Sequence, residues 1–199
     1  MVVGPTSTGK SSIMNQVAKL DSRFSRVSGY VTRPPRDDDE PKLYRYINKI
    51  QANQLIASGQ SIQHVIHPTT GEIYGSLARD YTSEFCMKDT GGPYTETYRK
   101  LPFKSSTTVS ITSDLQAWLS WLNQRNFTAA ELQKRLLEAK TSIEWSLKQT
   151  VNHYWIVNRP EKLEDIANEF VEMVVSQNTP TPAPRQATQM LRLIDSLLL

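Results

Sequence analysis

The chain is poor in the features that mark secreted, membrane-spanning or nucleic-acid-binding proteins. Its single cysteine, Cys86, cannot form an internal disulfide, which fits a reducing compartment. No stretch comes near the ~20 apolar residues that a membrane span needs, and Met1 leads directly into turn residues without a signal-peptide pattern. The net charge is only +3, and basic residues form no long run. We therefore expect a cytoplasmic protein without a membrane or nucleic-acid partner.

Short apolar runs alternate with helical periods along most of the 199 residues. Met1-Val2-Val3 indicates the end of a buried strand, and the apolar spacing that follows predicts a helix from Lys10 to Leu20. Strands that alternate with helices predict an α/β fold with a mainly parallel sheet and helices on both faces.

The remaining elements are predicted from apolar periods, caps and turn residues. Strands are expected over residues 26–30, 62–67, 72–74, 85–88, 107–111 and 154–157, with a loop over 31–41 and a turn over 68–71. Helices are expected over 51–58, after a cap at Ser113, from the capping box of Thr128 and Glu131 as far as Thr150, and from Pro160 onward.

The end of the chain differs in composition from the rest. Residues 177–187 contain three prolines and no large apolar residue, which predicts a linker. Residues 188–199 carry Leu191, Ile194, Leu197 and Leu198 and are expected to form a helical tail. We favour docking of this tail on the chain itself, because exposed leucines promote aggregation, and a protein partner is the alternative.

The segment Gly4-Pro5-Thr6-Ser7-Thr8-Gly9-Lys10-Ser11 fits the pattern Gly-x-x-x-x-Gly-Lys-Ser between a strand and a helix. Glycines let the backbone turn so that its N–H groups face phosphate oxygens, and the helix that begins near Lys10 directs its positive end there. In such loops the lysine reaches the β- and γ-phosphates, and the following hydroxyl coordinates Mg²⁺. We expect residues 4–12, ending at Ser12, to bind ATP with Mg²⁺ on Ser11, and Lys10 to act in catalysis.

A second basic motif, Arg33-Pro34-Pro35-Arg36, places two guanidinium groups on a loop stiffened by prolines. Arginine forks suit bidentate binding of a phosphate. The alternative is a solvated turn in which the arginines pair with the acidic run 37–39. Tyr44 and Tyr74 can add hydroxyl donors, although a lone tyrosine is more often partly buried packing.

Taken in order, these motifs resemble those of guanylate kinases, a family of nucleoside monophosphate kinases. The likeness spans Met1 to Val175 and includes the loop at residues 4–11. The other matching segments are Val31-Thr32-Arg33-Pro34-Pro35-Arg36, similar to Thr-Thr-Arg-x-Pro-Arg; Tyr44-Arg45-Tyr46, similar to Tyr-x-Phe; Gly71-Glu72-Ile73-Tyr74-Gly75-Ser76, similar to Gly-Asn-x-Tyr-Gly-Ser/Thr; and Trp155-Ile156-Val157-Asn158, similar to Ile-Val-Asn.

The resemblance implies a P-loop NTPase core over residues 1–176, with a small nucleoside-monophosphate lobe at about 32–82 and a short lid at about 123–133. It implies that Arg33, Arg36, Tyr44 and Tyr74 hold the acceptor phosphate. The remaining residues that it points to are Ser76 at the acceptor base, Asn158 at the adenine of ATP, Asp89 near Mg²⁺ or the base, and Arg125 and Arg135 as the nearest matches to lid arginines.

Departures from the family pattern fall on the acceptor side. Gln63 or His64 stands where the family has a glutamate that accepts hydrogen bonds from guanine. The family's Asp-x-Asp-x-Gln-Gly is reduced to residues 88–92, with Asp89 as the one remaining acid, and Trp118 stands where a lid arginine is frequent. Loss of charge-assisted hydrogen bonds of ~1.5–3 kcal/mol predicts a roughly 10- to 150-fold weaker hold on guanine.

An intact donor half and an altered acceptor half leave two interpretations. The first is a kinase that moves the γ-phosphate of MgATP to GMP or a related nucleoside monophosphate. The second is a catalytically impaired domain that binds nucleotides or phosphopeptides as an interaction module. The complete Gly-Lys-Ser loop favours the kinase, because a binding module has no use for it. The acceptor base and the choice between monomer and homodimer stay open.

Overall fold

Strands and helices alternate along the chain, as the apolar pattern predicts. The computed structural model describes residues 1–36, 39–67, 70–176 and 181–198. The strands are β1 (Val2–Val3), β2 (Phe24–Arg26), β3 (Gly29–Val31), β4 (Tyr44–Tyr46), β5 (Ser61–Ile66), β6 (Ile73–Leu77), β7 (Phe85–Met87), β8 (Thr108–Ser113) and β9 (His153–Asn158). The helices are α1 (Lys10–Leu20), α2 (Lys49–Ala57), α3 (Thr95–Arg99), α4 (Leu115–Asn123), α5 (Ala129–Leu147), α6 (Leu163–Ser176) and α7 (Arg185–Leu197), with 3₁₀ turns at Ala78–Asp80 and Gly92–Tyr94.

The chain divides into two compact units. The first consists of Met1–Ser22, Asp89–Thr95 and Lys104–Leu199, and the second of Arg23–Lys88 and Glu96–Phe103. The first unit therefore carries the Gly-Lys-Ser loop, and the second carries the Arg-Pro-Pro-Arg motif.

The sheet of the first unit is parallel, with strand order β1-β8-β9. All six residues of β8 are buried, as expected for a strand that is covered on both faces. Helices α1 and α6 pack together, while α4, α5 and α7 share an apolar cluster around Trp118 and Trp155. The predicted parallel sheet flanked by helices is confirmed.

The helix boundaries show where local signals suffice. Helix α1 has the predicted bounds, and α5 begins with both hydrogen bonds of the Thr128–Glu131 capping box. The predicted cap at Ser113 is wrong, because Ser113 ends β8 and the Asp114 side chain accepts from Gln116 N and Ala117 N instead. Two other bounds shift: α5 ends at Leu147 rather than at Thr150, and α6 begins after Pro160, at Leu163.

The C-terminal helix α7 packs on its own unit, which confirms the favoured docking of the tail. Its residues Ala187, Met190 and Ile194 are fully buried in the cluster with α4 and α5. Lys140 of α5 also forms an ion pair of 2.7 Å with Asp195. The helix starts at Arg185, so the predicted linker extended too far; residues 177–180 lie outside the described part of the chain.

The second unit contains a four-stranded sheet of order β4-β3-β6-β5 and a parallel pair of β2 with β7. One face of the larger sheet buries Tyr30, Ile73 and Leu77 against Ala52 of α2. The single strand predicted over residues 26–30 is wrong: β2 and β3 belong to different sheets, because the chain leaves β7 and then pairs with β4 and β6. The turn predicted over 68–71 lies partly outside the described residues.

None of the helices in the described ranges has the length and apolar character needed to cross a membrane.

Candidate nucleotide site

The loop between β1 and α1 has a backbone that only glycine tolerates at two positions. Gly4 has φ 141° and Gly9 has φ 82°. A Cβ atom on Gly4 would lie 2.3 Å from the carbonyl oxygen of Ile111, and one on Gly9 would lie 2.2 Å from Asn158 Nδ2. Both glycines are required by close contacts as well as by backbone conformation.

Three side chains hold this loop in shape through its carbonyl oxygens. Thr8 Oγ1 donates to Pro5 O at 2.9 Å, and Asn158 Nδ2 donates to Thr8 O at 2.9 Å. Trp118, which is fully buried in α4, donates its indole N–H to Thr6 O at 2.9 Å. Asn158, expected at the adenine, thus braces the loop, and Trp118 is a second brace that the sequence did not reveal.

The groups at the open side of the loop suit the binding of an anion. Lys10 Nζ donates to Gly4 O at 3.0 Å and to Pro5 O at 2.9 Å, which holds the ammonium group across the loop. No side chain of the described residues caps the N-terminus of α1 at Gly9. Ser7, at φ 60°, has a buried hydroxyl that none of the described residues bonds. Phosphate oxygens match this set of a cation, backbone N–H groups and a hydroxyl.

The two residues expected to bind Mg²⁺ are associated with the helix and the strand that flank the glycine loop. Ser11 is in the first turn of α1, with the exposed Ser12 beside it, and the exposed Asp89 is bridged to Val2 of β1. Within the described residues, no group of three or more His, Cys, Asp or Glu side chains is placed to hold a metal. Magnesium commonly uses one or two protein ligands together with substrate phosphates and water, and the Ser11 hydroxyl and the Asp89 carboxylate are ligand types suited to that ion.

In the second unit, Arg33 holds a carboxylate of its own chain. Its Nη1 and Nη2 atoms each lie 2.6 Å from an oxygen of Asp39. The same carboxylate accepts from Arg36 N at 2.8 Å and from the Tyr46 hydroxyl at 2.7 Å. The ring of Tyr44 lies 5.3 Å from the Arg33 guanidinium carbon. Four donors thus surround one anion, which is the arrangement that a phosphate needs.

The charges of this cluster reinforce one another. The hydrogen bond from Arg33 holds the pKa of Asp39 well below its usual range, and Asp39 raises the pKa of Arg33 in return. Tyr74 also raises the pKa of Arg33. Asp39 raises the pKa of the Tyr46 phenol, which therefore remains a donor.

The pairing with the acidic run, predicted as an alternative, is thus found for Arg33 and Asp39. The turn is not solvated at that point, because Arg33 is only 7% exposed. Arg36 itself is exposed and contributes its backbone N–H, while Asp37 and Asp38 lie outside the described residues.

Gln63, rather than His64, is the buried residue of β5 at the position expected to contact the acceptor base. It is 3% exposed, whereas His64 is exposed. Gln63 Nε2 lies 3.1 Å from Thr97 Oγ1, and its Oε1 atom is buried with no partner among the described residues. Its cross-strand neighbour Ser76 is fully buried and bonds to the Tyr81 hydroxyl at 2.8 Å.

The two arginines expected in the lid flank one aromatic ring. The guanidinium carbons of Arg125 and Arg135 lie 5.7 Å and 6.0 Å from the centre of the Phe127 ring. Arg135 also forms an ion pair of 2.7 Å with Glu138. The predicted lid, residues 123–133, contains the end of α4, a connection, and the start of α5.

Each unit brings together its own predicted residues. The first unites the loop with Asn158, and the second unites Arg33, Tyr44 and Tyr74. Sequence reasoning missed the roles of Trp118, Asp39, Tyr46, Thr97 and Tyr81 in these clusters. Alternation along a strand was a usable signal for Tyr46, since it places that side chain on the same face as Tyr44.

A short strand, a glycine loop and a helix that starts at Lys10 define a protein of the P-loop NTPase fold. The structure is similar to the crystal structure of guanylate kinase from Anaplasma phagocytophilum, with a TM-score of 0.59, 16% sequence identity, and coverage of 91% of this chain and 87% of that chain. The fold is therefore that of guanylate kinases.

The sequence comparison leads to the same family over a shorter stretch. The chain is 27% identical over 77 residues to the guanylate kinase of Alkalilimnicola ehrlichii. That stretch is 38% of this chain and only 35% of the relative's own length. No protein-family model matches the chain. The resemblance to the guanylate kinase family, expected from the motifs, is confirmed by the two similarities together.

Proposed function

We propose that the chain is an ATP-dependent nucleoside monophosphate kinase that uses GMP or a related acceptor. The observation that carries this proposal is the loop at residues 4–11, with Lys10 Nζ held at its mouth and α1 starting without a side-chain cap. Similarity to guanylate kinases in fold and in part of the sequence supports the same activity.

The proposed reaction transfers the γ-phosphoryl group of ATP. An oxygen of the acceptor phosphate bonds to the γ-phosphorus as the bond to the β,γ-bridging oxygen breaks, so that ADP and a nucleoside diphosphate leave. Lys10 and the loop N–H groups stabilise the charge on the β- and γ-phosphates. Bound Mg²⁺, on Ser11 and Asp89, would neutralise phosphate charge. The protein contributes positioning and electrostatics rather than a covalent intermediate.

The acceptor phosphate is assigned to the cluster of Arg33, Arg36, Tyr44 and Tyr74. Arg33 supplies a preformed guanidinium fork with an anion already in place. Arg36 is exposed and adds a second cation, and Arg125 and Arg135 act on the transferred group. Ser76 and Gln63 face the acceptor base, and Asn158 keeps the ATP loop in shape.

A coupled assay of ADP release tests the activity with a panel of nucleoside monophosphates. Lys10→Ala should abolish transfer with little change in the unfolding temperature, because Lys10 is only half-buried and alanine is a good helix former at the start of α1. Lys19→Ala is the matched control, since Lys19 is exposed in the last turn of the same helix. Unchanged turnover in the Lys10→Ala protein would remove the loop from the reaction.

A second candidate is a binding module for nucleotides or phosphopeptides that has lost catalysis. It is favoured by one observation: the Asp39 carboxylate occupies the Arg33 fork and would have to leave before an acceptor phosphate could bind there. ATP binding without turnover on any acceptor, together with phosphopeptide binding that survives Lys10→Ala, would support this candidate over the kinase.

A further inference from the structure

One face of the larger sheet in the second unit connects the phosphate cluster to a set of buried polar groups. The register pairs Gln63 with Ser76 and Val65 with Tyr74, so these side chains project from the same face. Ser76 lies two residues from Tyr74 along β6, a separation of roughly 7 Å. Val31, two residues before Arg33, pairs with Tyr74 across the sheet, and Tyr74 raises the pKa of Arg33. A nucleotide whose phosphate binds Arg33 would therefore extend its base along Ser76 and Gln63.

The polar groups on this part of the face are buried and uncharged. They are the Gln63 amide with its partner Thr97, and the Ser76 hydroxyl with its partner Tyr81. Burial raises the pKa of Tyr81, so its phenol keeps its proton. The nearby carboxylate, Asp80, is engaged by both Nη atoms of Arg45 at 2.7 Å and by Leu77 N at 2.8 Å.

Gln63 retains an acceptor that the described residues leave unsatisfied. Its Oε1 atom is buried and has no hydrogen-bond partner among the described residues. Such an atom is costly unless a ligand supplies a donor. The second Nε2 hydrogen, not directed at Thr97, gives the same amide a donor beside that acceptor.

The hydroxyl groups that contact Gln63 and Ser76 can each donate or accept a hydrogen bond. Thr97 Oγ1 accepts from Nε2 as placed, but a hydroxyl also donates, so it can bond to Oε1 after a half-turn of the amide. In the same way, either oxygen of the Ser76–Tyr81 pair can be the donor. Rotation of Gln63 by 180° thus exchanges the positions of its donor and its acceptor, and a hydroxyl such as that of Thr97 can face either group.

Every common base offers an adjacent donor and acceptor on its Watson–Crick edge. Guanine has O6 beside N1–H, uracil has O4 beside N3–H, adenine has N1 beside the N6 amino group, and cytosine has N3 beside the N4 amino group. A flippable amide pairs with all four, whereas a carboxylate, which only accepts, pairs best with an edge of two donors.

We propose that Gln63 makes the acceptor site tolerant of base, so that it binds nucleoside monophosphates of both purines and pyrimidines. This inference rests on the proposed function in one respect: it takes the Arg33 cluster as the site of the nucleotide's phosphate. The groups that carry it are the Gln63 amide, Thr97, Ser76 and Tyr81.

The test is calorimetric titration of the full chain with AMP, GMP, UMP and CMP in the absence of ATP. We expect the four dissociation constants to lie within about tenfold of one another. Gln63→Glu should tighten GMP, whose N1–H and amino group are both donors, by roughly 10- to 150-fold relative to the other three. His64→Ala is the control and should change none of the values, because His64 is exposed next to Gln63.

Two outcomes would overturn the inference. One is a base preference above about a hundredfold in the unaltered chain, and the other is a Gln63→Glu protein, folded by its thermal transition, whose relative affinities stay the same. If that variant fails to fold, Gln63→Met replaces it and should weaken all four nucleotides by similar factors; a loss confined to one base contradicts the proposal. Binding of all four nucleotides without turnover of any would refute the kinase and leave this inference standing. Binding and turnover confined to one base would support the kinase and refute this inference.

Discussion

At the scale of single residues, Gly9 and Gly59 have similar backbones and different surroundings. Their φ angles are 82° and 71°, but a Cβ would meet Asn158 Nδ2 at 2.2 Å on Gly9 and nothing within 4 Å on Gly59. Gly59→Ala should therefore cost only backbone strain of ~1–2 kcal/mol. Gly9→Ala should also displace Asn158 from Thr8 O and abolish ATP binding, as measured by titration beside thermal unfolding. Normal ATP affinity in that variant would contradict the prediction.

The carboxylate of Asp39 occupies the Arg33 donors that we propose for an acceptor phosphate. Asp39→Asn should weaken this competition and tighten nucleoside monophosphate binding by about tenfold, or about 1.4 kcal/mol, close to the lower end of the ~1.5–3 kcal/mol of a charged hydrogen bond. Titration with an acceptor nucleotide measures the change. Glu40→Gln is the control, because Glu40 pairs with Arg26 instead. Weaker binding by the Asp39→Asn protein would show that Asp39 orients Arg33 rather than occupying its site.

At the scale of elements, α5 owes its first turn to the Thr128–Glu131 capping box. Thr128 Oγ1 accepts from Glu131 N, and Glu131 Oε2 accepts from Thr128 N at 2.9 Å. Thr128→Ala should lower the free energy of unfolding by ~1 kcal/mol in a urea titration. Thr141→Ala, on the exposed middle of the same helix, should be neutral or stabilising, because alanine is the better helix former. Equal losses in both variants would argue against the cap.

Elements that depend on local signals were predictable, and those that depend on partners were not. The apolar period from Ile13 to Val17 and the box at Thr128 set α1 and the start of α5. The division of residues 24–31 into β2 and β3 depends on pairing with β7 in one case and with β4 and β6 in the other. The spacing of residues in the sequence does not indicate which strands pair with β2 and β3.

At the scale of the whole molecule, α7 completes the core of the first unit. Ile194 is fully buried in the cluster with α4 and α5, whereas Leu197, one turn further on, is 48% exposed. Ile194→Ala should reduce the free energy of unfolding by ~2–5 kcal/mol because it leaves a cavity, and Leu197→Ala should cost far less. Chemical denaturation of the two variants checks the difference. Similar small losses in both would mean that α7 does not stabilise the unit.

The sequence by itself determined the chemical groups of the glycine loop and of the arginine cluster. Gly4, Gly9 and Lys10 are specified by a short contiguous pattern, and the Arg33 motif by another, because backbone turns and charges act over a few residues.

Only the tertiary structure decided which distant groups complete each cluster. Trp118 reaches Thr6 O across 112 positions, Gln63 meets Thr97 across 34, and Asp39 rather than solvent faces Arg33. These contacts depend on strand register and helix packing, which are settled by the burial of apolar surface throughout the fold.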